Sequence, residues 1–114
     1  MNLTPTARKG RTWGQELAWI DYAGIVDGRR LGLLVVPAKQ NARPAWAHSR
    51  DYGVMVINPF PRNLKENARE PATKTLVEKG KPFRLEFTLL AHDTPADQPP
   101  DLNALAAGTP DRSR

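Results

Sequence analysis

Apolar residues in this chain come in short runs separated by polar stretches that carry proline and glycine. Where the runs are long enough to show a period, it is two. Gln15–Tyr22 is rich in strand formers, with Leu17, Trp19 and Asp21 on one side and Ala18, Ile20 and Tyr22 on the other. The next run is Leu31–Val36, and between the two lies Val26-Asp-Gly-Arg29. Asp-Gly suits the hairpin turn that needs positive φ at both central positions, so residues 16–36 are expected to form a β-hairpin. Pro37 ends that strand because it has no N–H to give to a ladder. Residues 38–51 read as a polar loop and Tyr52–Ile57 as a third strand stopped by Asn58-Pro59-Phe60-Pro61. Pro61 and Pro71 confine any helical turn to 63–69. A short strand is expected at Thr73–Val77, followed by a turn at Gly80-Lys81. Phe83–His92 is the clearest strand: Phe83, Leu85, Phe87 and Leu89 point one way, and Arg84, Glu86 and Thr88 the other.

About five strands and no long helix predict an all-β fold, an antiparallel β-sandwich or partial sandwich over residues 15–93. Residues 1–14 read as a flexible lead-in, and 94–114 as a mostly disordered tail in which Leu102–Ala107 has the composition for one or two helical turns. Five strands leave a second sheet short of partners and its edges open, so a larger assembly or an edge-strand partner is expected.

Composition narrows the function classes. The chain has 114 residues, enough for one domain, with 39% hydrophobic residues and no cysteine. Disulfides, thiolate metal sites and thiol catalysis are therefore excluded. The net charge of +5 comes from 17 basic against 12 acidic residues. The basic residues are scattered and follow no helix face, so a solvated surface is expected rather than a nucleic-acid footprint. No apolar run approaches the roughly 20 residues needed to span a bilayer, and the first ten residues lack the apolar core of a signal peptide. No membrane association and a cytoplasmic location are the default expectations.

The candidate chemistry concentrates in Trp46–Asp51, which places an aromatic, a histidine, an arginine and a carboxylate in six residues. His48, Arg50 and Asp51 are the catalytic candidates: an acid or base, a guanidinium fork for a carboxylate or sugar hydroxyl, and a base or an orienter of His48. Trp46 offers an apolar face to a sugar ring. Asp21, Tyr52, Asn58 and His92 complete the ligand-binding candidates. Each also has a structural reading. Arg50 and Asp51 suit an ion pair closing the loop, Trp46 and Tyr52 suit core plugs, and Asn58 suits a turn before Pro59. His92 suits a structural or exposed strand end. Asp21 needs a partner if buried, and Arg50 or an edge amide would serve. Ser49 and His48, as neighbours, point to opposite faces and make no dyad. Two histidines far apart are no metal signature, so no metal and no cofactor are expected.

Three segments, in order, carry a resemblance: Trp19–Gly24 with Val26–Leu33; Trp46–Gly53 running into Asn58-Pro-Phe60; and Val77–His92. Together they resemble the C-terminal part of the PmoA-like family, bacterial proteins of unknown function named after a methane-oxygenase subunit. The resemblance covers residues 15–93. It implies a large β-sandwich similar to galactose-mutarotase-type folds and a carbohydrate-related role, with a carbohydrate as the ligand. It does not carry the oxygenase activity, which needs transmembrane helices and a metal site. The family's N-terminal portion has no counterpart here, and where the family has a His-Pro pair before an asparagine this chain reads Val36-Pro37-Ala-Lys-Gln-Asn41. The alternative is a non-catalytic structural or interaction module, or a fragment without activity of its own.

Overall fold

In the computed structural model the described residues are 3–7, 16–42, 44–60 and 76–109. They form seven strands and one helix: β1 (Leu3–Ala7), β2 (Glu16–Leu17), β3 (Ile20–Val26), β4 (Arg29–Pro37), β5 (Ala45–Arg50), β6 (Val54–Asn58), β7 (Phe87–Pro95) and α1 (Leu102–Ala107). The strands make a four-stranded sheet in the order β1-β3-β4-β7 and a three-stranded sheet in the order β2-β5-β6. Every pairing is antiparallel. The fold is a β-sandwich with a helix on its outer side, which bears out the all-β class.

The β3–β4 hairpin turns at Asp27 (φ 49°) and Gly28 (φ 76°), both in the left-handed region that a two-residue hairpin turn of this kind requires. The run 15–22 does not continue as one strand. Glu16 and Leu17 pair with β5 in the small sheet, and Ile20 onward pairs with β4 in the large one. The chain changes sheets at Ala18-Trp19, which delivers Leu17 and Ile20 to one core and Trp19 to another. Strand formers on both faces were compatible with one long strand, and only the two-sheet packing divides them.

The first core lies between the sheets. Ile20 and Val35 of the large sheet meet Leu17, Ala45 and Ala47 of the small one, flanked by Met55, Ile57 and Phe87. The second lies on the opposite face of the large sheet, where Trp19, Leu34 and Val36 pack with Leu90 and with Leu102 and Ala106 of α1. Asp101 caps the helix by accepting the Ala104 N–H.

Several strand boundaries differ from the sequence expectation. Residues 45–50, read as loop, are β5. Ala45, Ala47 and Ser49 are buried on alternate positions, and small residues let the two sheets approach closely. The stretch read as a lead-in holds β1, whose Pro5 is tolerated because β1 is an edge strand. The strand expected at 83–92 runs from 87 to 95. Its partner β4 stops at Pro37, and the next backbone groups are taken over by a loop: Ala38 N–H and the Asn41 side chain both bond to the Glu86 carbonyl, and Glu86 N–H bonds to Asn41 Oδ1. Phe87 packs in the inter-sheet core, but Leu89 on the same face is 61% exposed because the small sheet does not reach it. Gly80 does form a turn, at φ 82°. Leu76 and Val77 are exposed and not in a strand, and 73–75 and the helical turn expected at 63–69 fall outside the described residues.

Candidate functional site

The strand β5 turns the segment singled out from sequence into an ordered strip. Its inward positions are Ala45, Ala47 and Ser49, so Trp46, His48 and Arg50 all project from the opposite face and are half-buried there. Register with β6 places Asn58 beside Trp46, Val56 beside His48 and Val54 beside Arg50 on that same face. Four of the candidates, Trp46, His48, Arg50 and Asn58, are thus brought to one surface. Asp51 and Tyr52 are not: they sit exposed in the β5–β6 turn, and Tyr52, at 73% exposure, is no core plug. Asn58 also fixes its own turn, accepting the Phe60 N–H at 2.8 Å and donating to the Phe60 carbonyl at 3.1 Å. Ser49 faces away from His48 and donates to the Val54 carbonyl.

The end of β5 is held from the large sheet. Tyr22 hydroxyl donates to the Arg50 carbonyl (2.7 Å) and accepts the Gly53 N–H (2.6 Å). One phenol therefore fixes the turn from which the strip begins.

Asp21 and His92 form a second polar site, on the helix-bearing face of the large sheet. His92 Nε2 lies 2.6 Å from Asp21 Oδ1, and the two side chains are 7% and 3% exposed. The partner expected for Asp21 was Arg50 or an edge amide. It is His92 instead, across an intervening strand. The pairing Ala23–Gly32–His92 explains how. Cross-strand partners share a face, as do residues two apart, so Asp21, Gly32 and His92 all point the same way. Gly32 has no side chain, and the imidazole lies in the space a Cβ would fill: that atom would be 2.2 Å from both Cε1 and Nε2 of His92. Burial raises the Asp21 carboxyl above its ordinary value. The hydrogen bond from His92, its charge, and the Arg30 guanidinium work in the opposite direction. The sequence reading had the two members of this pair but missed Gly32 and Arg30. The pattern Arg-Leu-Gly-Leu-Leu, with glycine at a position where a strand would carry a side chain, was the available signal.

A third feature is an open groove of about 1220 Å³ where residues 36–42, 44–45, 84–89 and α1 meet. Its polar groups are largely engaged with one another. Arg84 and Gln40 bind the Glu86 carboxylate, Asn41 binds the Glu86 backbone, and Trp19 Nε1 donates to Asn103.

Among the described residues no group of three or more His, Asp or Glu could hold a metal ion, and no helix is long and apolar enough to cross a membrane. Taken together, these features define an antiparallel β-sandwich domain with a polar strip on one outer face and a buried carboxylate–imidazole pair beneath the other. The chain belongs to DUF6807, a family of unknown function whose model matches residues 2–107. No curated protein and no solved structure matches it.

Proposed function

We propose that the domain binds a carbohydrate on the outer face of the small sheet, and that the PmoA-like resemblance of its sequence reflects this role. The observation that supports the reading is the alternation in β5, which sets Trp46, His48 and Arg50 on one face with Asn58 in register beside Trp46. A flat indole face takes the C–H side of a sugar ring, and an amide, an imidazole and a guanidinium at strand spacing match its hydroxyls. His48 and Arg50 are the residues through which processing of the sugar would act.

Calorimetric titration of the full chain against a panel of sugars tests the proposal. Heat with at least one sugar is expected, and Trp46→Ala should weaken that binding roughly tenfold, the loss of one stacking contact. A folded domain that gives no heat with any member of the panel refutes it.

A non-catalytic interaction role is favoured by a different observation. Among the described residues β7 is an edge strand, and Leu89 on it is exposed on the same face as Leu31 and Leu33 of β4. Such an edge accepts an added strand from a partner chain. Size-exclusion chromatography distinguishes the two roles, since a monomer at all concentrations with no partner strand bound argues against edge pairing.

A further inference from the structure

The polar site around Gly32 extends beyond the Asp21–His92 pair. Arg30 and Thr94 are direct cross-strand partners, one step along the same face from Gly32 and His92. Three atoms of this group are buried and have no hydrogen-bond partner among the described residues: Arg30 Nε, His92 Nδ1 and Thr94 Oγ1. Folded proteins leave few such atoms, because each has lost its water without gaining a bond. Here three belong to one corner of one sheet face. Antiparallel partners lie about 5 Å apart and residues two apart along a strand about 7 Å, so the three side chains start within reach of a single small group.

Their chemistry specifies that group. In the tautomer that donates Nε2–H to Asp21 Oδ1, 2.6 Å away, Nδ1 of His92 presents a lone pair. Arg30 Nε–H is a donor only, and the Thr94 hydroxyl gives or accepts. The complement is a group that accepts from Arg30 and donates to His92, which is a hydroxyl. An anion fits less well: it cannot donate to Nδ1, and the Asp21 carboxylate is already on this face. A metal ion fits less well still, beside a guanidinium.

We propose that Arg30 Nε, His92 Nδ1 and Thr94 Oγ1 together hold one hydroxyl group, of a water molecule or of a small polyol, on the helix-bearing face of the large sheet. Asp21 is the positioning residue: it holds the ring so that Nδ1 faces the hydroxyl, the orientation in which an imidazole accepts a proton from it. This site is independent of the strip on β5 and stands or falls without it.

Nuclear magnetic resonance of the full ¹⁵N-labelled chain tests the proposal. The long-range spectrum of the His92 ring is expected to show Nε2 protonated and Nδ1 bare. A rotating-frame cross-peak between solvent and Arg30 Hε is expected in plain buffer if the hydroxyl is that of water, and excess glucose should leave it unchanged. If the hydroxyl is that of a polyol, excess glucose should shift the His92 ring signals. In either case Thr94→Val, which keeps the shape and removes the oxygen, should weaken the signal several-fold. The reverse tautomer, or the absence of both the solvent cross-peak and any glucose response, overturns the proposal. A Thr94→Val variant indistinguishable from the parent overturns the part assigned to Thr94.

Discussion

Replacing Gly32 by alanine is the sharpest probe of the polar face, because two physical arguments predict opposite signs. Gly32 lies inside β4 and is not among the residues with positive φ. An alanine there restricts the unfolded chain and suits a strand, which taken alone stabilises by about 0.5–1 kcal/mol. The new methyl, however, would sit 2.2 Å from Cε1 and Nε2 of His92 and 3.1 Å from the Ala23 Cβ. The imidazole is the part that must move, and it is 7% exposed and bonded to Asp21. Displacing it costs about 1–3 kcal/mol in overpacking. It also strips a buried carboxylate of its hydrogen bond, at about 1.5–3 kcal/mol. The two costs overlap, since a ring that leaves relieves the overlap and loses the bond. A net destabilisation of about 1–3 kcal/mol is therefore expected. Urea unfolding followed by tryptophan fluorescence measures it, with the same substitution made in a His92→Ala background. There the clash is gone, and Gly32→Ala should be neutral or stabilising. If Gly32→Ala is as stable as the parent, or costs as much without His92 as with it, the slot does not work as described.

Asp21→Asn should show a pH-dependent gain. The Asp21 carboxyl is raised above its ordinary value of 3.8, mainly by burial, so its contribution to stability is present below that value and lost as pH rises through the folded one. Asparagine does not titrate, so the variant's stability relative to the parent should grow over that window and then level off; a variant-minus-parent difference in urea midpoint that stays flat or falls as pH rises would contradict this. Tyr22→Phe removes the bonds to Arg50 and Gly53 and should cost about 1–2 kcal/mol while speeding amide exchange at Gly53; unchanged exchange would mean the phenol does not hold the turn. Leu34→Ala, at a fully buried position between β3 and β7, should cost about 2–5 kcal/mol in the same urea assay, and a cost under 1 kcal/mol would place the helix-side core elsewhere.

How much of this was legible in the sequence depended on distance along the chain. The β3–β4 hairpin was, because Asp27-Gly28 and the apolar runs beside it are local signals. The helix at 102–107 was legible only as a composition fit for one or two turns within a stretch read as mostly disordered, because its order comes from packing Leu102 and Ala106 against Trp19, Leu34 and Val36. The strand β5 was not. Ala-Trp-Ala-His-Ser-Arg alternates small with large, but alanine and serine are weak strand formers, and nothing local says that small residues face a second sheet. The start of β7 was misplaced for the same kind of reason: the alternation Phe83–Leu89 is real, but a strand extends only where a partner does, and β4 ends at Pro37.

The candidate site divides along the same line. Trp46, His48 and Arg50 could be picked out by residue type, and their common face follows from the period of two once β5 is known to be a strand. The sequence by itself determined the antiparallel all-β class, the hairpin turn and the residue types available for chemistry, because turn conformation and periodicity are properties of neighbouring residues. The tertiary structure decided which strands share a sheet and which side chains meet. Asp21 and His92 are 71 positions apart and come together only through the register of three strands, with Gly32 between them supplying the room. Register is fixed by the joint packing of two cores, and no single segment of the chain contains that information.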